Sequence, residues 1–530
     1  MFTIGIDLGS SSIKLSLFDA ETGLGLTTLQ LPETELPIIA LKPGWAEQDP
    51  NEWWSLIQLG IPQLIAQSGI DGDEVAAIGI TYQMHGLVCV DEQLQPVRPA
   101  IIWCDSRAVH YGNEAFESIG KENALKHLLN SPGNFTAAKL AWVKEHEPEI
   151  YRKIYKFMLP GDFIAMKITG NCTTTFSGLS EGILWDFVDQ QPAKQVLNHF
   201  GINPNLLSAP LPQYGNQGQI APEIAQLLHI SDKTIISYRA GDQPNNAFSL
   251  HVLNPGEVAA TAGTSGVVYG VTDRVNFDPL SRVNTFLHVN HTEQEPRLGI
   301  LLCINGIGIT NSWIRKNFTP QLTFEEMNTL ATTAPVGSEG LLFIPFGNGV
   351  ERMLENRESE AQLIGLQYNI HAIQHIIRSA HEGIAFAFAY GMEIMQQMGM
   401  DLKVIRAGKT NLFLSPIFRQ TLATLTDTEI HLYNTNGSLG AARGAAVGAG
   451  FYTNRINCPE LKHRVTDNRI NCPELKHRAI DSNIYQNMDD AFKTLEVLEK
   501  VLPIFADKEM LKTTYQHWKH ALQQQLTKHK

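Results

Sequence analysis

Apolar residues alternate from the very start of the chain. Phe2, Ile4 and Ile6 share one face of a strand, and after Gly9-Ser10-Ser11-Ser12 the residues Ile13, Leu15 and Leu17 share a face of a second. This pattern predicts a β-hairpin with an acid, Asp7, at the mouth of its turn. The same unit recurs about half-way along: Val258, Ala260 and Ala262 lead into Gly263-Thr264-Ser265-Gly266, and Val267, Val268 and Tyr269 leave it. In register, Gly9 falls on Gly263, Ser10 on Thr264 and Ser11 on Ser265. Two such starts predict an internal duplication into units 1–246 and 247–530, with Asn254-Pro255-Gly256 supplying the turn signal near the boundary. Helical periodicity is strongest from Ile370 to Met398, where apolar positions are too many for a surface helix; a buried helix is predicted. Hairpins followed by mixed strands and helices give an α/β fold class with two domains.

The gross numbers narrow the partners. A chain of 530 residues exceeds what one hydrophobic core holds, and 43 % hydrophobic with 18 % charged residues is an ordinary globular balance. A formal net charge of −13 argues against nucleic acid and anionic membrane. Six scattered cysteines without a CxxC pair suit a reducing compartment. The opening MFTIGIDLGS has no basic stretch ahead of its strand-like run, and no apolar run approaches the ~20 residues of a membrane span. A cytoplasmic location is therefore expected.

Residues 454–478 carry a near-exact direct repeat, NRINCPELKHR-VTD-NRINCPELKHR. Two copies of period 14 are too short for a solenoid and read as a local duplication that lengthens a loop or helix. The repeat doubles one Cys and one His, to Cys458, His463, Cys472 and His477. Their spacing is unlike common zinc sites, so metal binding there is not expected.

Candidate chemistry lies elsewhere. Turns of Gly and hydroxyl residues aim N–H and O–H groups at phosphate oxygens, although most such turns merely connect strands. The candidates are Gly9-Ser10-Ser11-Ser12 with Lys14, and Gly263-Thr264-Ser265; one per unit would hold a polyphosphate from two sides. No Walker A sequence occurs, which disfavours a P-loop enzyme. Asp7 beside a phosphate turn is repulsive unless Mg²⁺ lies between; otherwise it caps the turn. Asp242, in a Gly-flanked loop near the predicted boundary, suits an acceptor for a hydroxyl proton, or is an ordinary turn residue. Gln83, Met84 and His85 follow the apolar run Val75–Ile80 and offer hydrogen bonds and an apolar wall. Trp103, in Ile101-Ile-Trp-Cys-Asp-Ser-Arg107, is either core or an aromatic wall for the C–H face of a sugar.

In this order the motifs resemble the FGGY carbohydrate kinases, of the actin-like (ribonuclease H-like) ATPase fold, and their xylulokinase branch most of all. The matching stretches are GIDLGSSSIKLSLFD (5–19), PGWAEQDPNEWW (43–54), YQMHGLV (82–88), PAIIWCDSR (99–107), AGDQPNNA (240–247), NPGEVAATAGTSG (254–266), GLLFIPFGNGVER (340–352) and GSLGAARGAA (437–446). The resemblance spans roughly residues 1–452. It implies that 1–246 is the sugar-binding domain and 247–530 the nucleotide-binding domain, with a cleft between them. It implies Asp242 as the catalytic base, Met84 and His85 as contacts to a ketopentose, and Gln243 where the family often has Asn. Asp7 would hold Mg²⁺ through water, and Gly9 to Ser12 and Gly263 to Ser265 would contact ATP phosphates. Adenosine would sit near Gly306, Gly408 and Asn411. Here the adenosine loop reads Ala407-Gly-Lys-Thr-Asn-Leu-Phe413, where the family is closer to Gly-Gly-x-x-x-Ser. A homodimer is common in the family. Nothing after about residue 452 matches a functional motif.

The expected reaction is phosphorylation of D-xylulose by ATP. Ribulose or another ketose or polyol is the main alternative; glycerol is disfavoured because glycerol kinases carry Arg-Glu where Met84-His85 stands. A non-enzymatic actin-like ATPase would need neither the YQMHG loop nor Asp242, and a catalytically dead sensor would not need the phosphate turns.

Overall fold

The computed structural model describes residues 1–452 and 488–528; the direct repeat at 454–478, with its Cys and His residues, lies outside them. Two sheets dominate the described residues. In the first, strands β1 (Phe2–Leu8), β2 (Ile13–Asp19) and β3 (Leu24–Leu31) form an antiparallel meander, and β4 (Val75–Tyr82) and β5 (Ile235–Gly241) extend it in parallel, in the order β5-β4-β1-β2-β3.

The second sheet contains β6 (Glu257–Ala262), β7 (Gly266–Thr272), β8 (Asn284–Leu287), β9 (Leu298–Ile304), β10 (Val404–Gly408), β11 (Ile430–Tyr433) and β12 (Val497–Val501), ordered β8-β9-β7-β6-β10-β11-β12. Its central five strands repeat the first sheet: antiparallel β9-β7-β6, then parallel β10 and β11. Both predicted hairpins are present, with Asp7 opposite Lys14 in the first. The duplication read from two short turns thus extends to strand order and direction.

Among the helices, α1 (Thr136–His146), α2 (Phe176–Glu181) and α3 (Asp242–Ser249) belong to the first half of the chain, and α4 (Ile373–Gln397) is the buried helix expected at 370–398. Helix α5 (Gly437–Gly448), GSLGAARGAAVG, lies on the first sheet although it comes late in the chain. Its small residues allow this. A Cβ at Gly5 or Gly79 would overlap the backbone carbonyls of Ser438 and Ala441, so strand and helix backbones meet directly. Helix α6 (Phe505–Lys528) closes the second half, burying Trp518, whose Nε1 donates to Phe343 O at 2.9 Å. Among the described residues, no helix is long and apolar enough to cross a membrane.

Candidate active site

The site collects where parallel strands end. Strand β4 runs into Gln83-Met84-His85, and β5 runs into Asp242, which is the first residue of α3 rather than part of a loop. A strand delivering straight into a helix gives the carboxylate a more fixed position than a turn would. Asp242 accepts from both the side chain and the backbone of Gln243, and Gln243 Oε1 is left buried without a partner. Burial, then the nearby charge of Asp7, push the Asp242 pKa up to about 7.

Asp7 is similarly enclosed. Burial raises it to about 6, opposed by Lys14 across the hairpin, and its carboxylate accepts no hydrogen bond among the described residues. A Cβ at Gly437, at the start of α5, would overlap Asp7 Oδ2. Two neighbouring, half-buried carboxylates whose charged forms are disfavoured by their surroundings form a donor set that suits a hydrated divalent cation. The residues present therefore fit Mg²⁺.

The two turns flank these acids. In the first, Gly9 N donates to Ser12 O at 3.1 Å, and Gln48 Nε2 donates to Ser10 O at 2.7 Å. Gln83 Nε2 donates to Gln48 Oε1 at 3.1 Å, so its amide buttresses this turn. Trp103 is 46 % exposed, and its Nε1 reaches Ser10 Oγ at 3.4 Å; it lies over the first turn rather than in a core. In the second turn, Thr264 O accepts from Gly308 N at 3.1 Å, and a Cβ on Gly263 would stand 3.6 Å from Asn411 Nδ2. Ser265 hydrogen-bonds Cys303, which feels the charge of Asp242. Gly306, at φ 74°, precedes the helix Ile307–Phe318, and Gly408 ends β10. Gly263 to Ser265, Gly306, Gly408 and Asn411 thus gather at the ends of the second sheet's strands, and Cys303 at that end feels the charge of Asp242.

His85 is the most constrained residue of the site. It sits at φ 62°. Its Nδ1 lies 3.0 Å from Glu181 O, its backbone N donates to Glu181 Oε1 at 3.5 Å, and its carbonyl accepts from Lys139 Nζ at 2.8 Å. Phe135 packs edge-on at 4.7 Å and Phe286 at 5.4 Å. Burial, then the Lys139 charge, lower the ring's pKa to about 3, so it is neutral. Met84 is buried beside it, and a Cβ on Gly241 would fall 2.6 Å from Met84 Cγ and overlap Glu181 Oε2.

Phe135, Lys139, Glu181, Phe286 and Arg352 were not foreseen from the sequence. Phe286 comes from β8, which the first half clamps. Asn130 Nδ2 donates to Thr285 O at 2.7 Å, Thr285 N donates back to Asn130 Oδ1 at 2.9 Å, and Leu287 N donates to Ser180 Oγ at 3.0 Å. The WCDSR stretch is largely structural: buried Asp105 accepts from Ala46 N at 2.6 Å and pairs with Arg107 at 2.7 Å.

Models of the N-terminal and C-terminal domains of the FGGY family of carbohydrate kinases match residues 2–249 and 258–450. The chain belongs to this family. Among curated relatives, the xylulose kinase of Bacillus subtilis (strain 168) is 28 % identical over 471 residues, 87 % of this chain and 90 % of that one. Solved structures share the kinase's fold. A ligand-bound xylulose kinase from Lactobacillus acidophilus superposes with TM-score 0.84 at 20 % identity, covering 98 % of this chain and 97 % of that one. A gluconate kinase from the same organism gives TM-score 0.84 at 19 % identity, with 100 % and 99 % covered. The molecule is a sugar kinase of two-domain α/β architecture, in keeping with the actin-like ATPase fold.

Proposed function

We propose that this kinase transfers the γ-phosphoryl group of ATP to D-xylulose, giving D-xylulose 5-phosphate, with Asp242 as general base. The observation that carries this reading is the position of Asp242. It follows Gly241, where a Cβ would meet Met84 and Glu181, and its charge interacts with Asp7, beside the first Gly/hydroxyl turn, and with Cys303, which Ser265 of the second turn hydrogen-bonds. On this reading residues 1–246 supply the sugar side and 247–530 the nucleotide side.

Phosphoryl transfer needs alignment, charge neutralisation and a proton acceptor. Met84 and His85 hold the sugar, with Trp103 as a wall at the cleft mouth. Asp242 takes the proton of the terminal hydroxyl as that oxygen bonds to the γ-phosphorus, and the bond to the ADP oxygen breaks. Main-chain N–H groups and hydroxyls of Gly9 to Ser12 and Gly263 to Ser265 steady the phosphates, with Lys14 adding a positive charge, while Gly306, Gly408 and Asn411 flank the adenosine. Mg²⁺, held from Asp7 through water, would supply charge neutralisation. Closure of the two halves excludes water, the competing acceptor.

Support for xylulose comes from the curated relatives, which are named xylulose kinases at 26–29 % identity, and from Met84-His85 at the ketopentose position. Another ketose or polyol is the second reading. Its ground is that the same fold, in the gluconate kinase, serves an acceptor other than xylulose. The test is ADP release with ATP and Mg²⁺ against D-xylulose, ribulose, other ketoses, glycerol and no sugar, in wild type and Asp242→Asn. Turnover dependent on D-xylulose and abolished in the variant supports the reading; sugar-independent turnover, or preference for another polyol, sinks it.

A further inference from the structure

Among the described residues the little-exposed arginines are mostly matched to acids, and two that are not stand out. Arg98 meets Glu47 and Glu147, Arg107 meets Asp105 and Glu47, Arg239 meets Asp162, Arg378 meets Glu382 and Arg406 meets Glu257. The first exception, Arg443, is accommodated by other means. Its guanidinium lies 5.3 Å and 5.0 Å from the rings of Phe18 and Phe492, and its Nε donates to Ala491 O at 2.9 Å.

Arg352 has less accommodation, a single ring, Phe135, at 5.8 Å. It closes the stretch GLLFIPFGNGVER, whose role the kinase reading leaves unassigned. Among the described residues no carboxylate pairs with its guanidinium and no hydrogen bond engages its side chain, and its Nη1 is enclosed without a partner. The preceding Glu351 turns away to accept from Asn305 N at 3.0 Å. Burial, with no compensating anion, lowers the guanidinium to about 10. A half-buried, unpaired cation is costly, and guanidinium groups are matched to carboxylates by a planar two-point fork.

The surroundings say where the missing anion belongs. The guanidinium lies 5.8 Å from the Phe135 ring, its Nη2 is 3.0 Å from where a Cβ on Gly133 would stand, and its charge acts on His85. It therefore reaches from the second half of the chain to the side chains of Phe135 and His85, the residue read as the sugar contact. Lys139, the other cation there, already spends its Nζ on His85 O.

We infer that Arg352 is a further substrate-binding residue, whose guanidinium takes the oxygen-rich end of the sugar opposite the transferred hydroxyl, so that the pocket accepts aldonic acids as well as ketoses. This rests on the reading of His85 as a sugar contact. A carboxylate would satisfy Arg352 fully; the carbonyl and hydroxyl of a ketose satisfy it in part.

The experiment compares wild type, Arg352→Gln and Arg352→Lys, each checked for an unchanged circular dichroism spectrum. Binding of D-gluconate and D-xylonate is followed by calorimetry without ATP, and KM is measured for D-xylulose and for ATP. Aldonate should bind wild type and compete with the sugar. Arg352→Gln should weaken aldonate binding and raise the sugar KM by about 10-fold or more, the scale of a lost charge-assisted hydrogen bond. The KM for ATP should stay within about two-fold, and Lys should rescue only partly because it lacks the fork. Failure of aldonates to bind wild type, or an Arg352→Gln variant with unchanged sugar KM, overturns the inference while xylulose turnover stands. Aldonate binding through Arg352 without D-xylulose turnover would instead overturn the xylulose reading alone.

Discussion

His85 Nδ1 donates to the main-chain carbonyl of Glu181 at 3.0 Å. In a neutral imidazole that donation leaves Nε2 bare, so toward the pocket His85 is an acceptor and a sugar hydroxyl is its matching donor. With the ring held near pKa 3 by burial and by Lys139, the role does not change across the physiological range. His85→Ala should raise the sugar KM by about 10-fold or more and leave the ATP KM almost unmoved. NMR of the ring should show no titration above pH 5; a transition near 6.5 would contradict the assignment.

Asp242 invites the opposite comparison, between activity and stability. Its folded pKa, raised to about 7, lies above the ordinary carboxyl value of 3.8. Between those values the folded state binds more protons than the unfolded one, so this group makes stability fall as pH rises, with the full loss present above about 7. Asp242→Asn removes the buried charge. Turnover should fall by roughly 10²-fold or more, while the ligand-free variant should unfold at higher temperature than wild type at pH 8 and match it more closely at pH 4. A variant that loses stability at pH 8 would show that the carboxylate is held by its neighbours rather than strained by them.

These two residues also mark how far the sequence could be read. Alternating apolar positions around Gly/Ser turns forecast both hairpins, because strand periodicity and turn chemistry are local properties. Placing Asp242 at a strand–helix junction was harder, since Gly-Asp-Gln-Pro looks like a turn until β5 is paired with β4. Phe286 and Glu181 gave no local signal at all, and Arg352 closes a matched stretch to which no role was attached. Each reaches His85 across long sequence separations, and an aromatic or charged residue read by itself looks the same whether it faces a site or a core. Gln83 reads next to Met84-His85 as a sugar contact; its Nε2 is tied to Gln48, which props the first turn, while its Oε1 is left without a partner among the described residues.

The contact between Asp7 and α5 tests the metal reading from the second half of the chain. Gly437 has no side chain, and a Cβ there would overlap Asp7 Oδ2. Gly437→Ala should push the carboxylate off its position without adding or removing charge. The expected result is a higher Mg²⁺ concentration for half-maximal turnover, with the sugar KM little changed. Equal effects on Mg²⁺ and sugar would mean that the substitution distorts the cleft as a whole.

Lys139 links the pocket to the stability of the helix that carries it. Its side chain is buried, Nζ donates to His85 O at 2.8 Å, and burial lowers its pKa to about 7 despite the nearby Asp105. An unfolded lysine keeps its proton up to its ordinary value of 10.5. Between about 7 and 10.5 the unfolded state therefore holds more protons, and this group makes stability rise with pH. Lys139→Met keeps the apolar stem and removes both the charge and the donor. Its thermal stability should lose that rise between pH 7 and 10, and its sugar KM should increase because the His85 loop, at positive φ, loses the donor on its carbonyl. The two readouts separate the roles: a flattened stability profile with an unchanged sugar KM would leave Lys139 as packing for α1 alone, whereas a raised KM at constant ATP KM makes it a positioning residue for His85.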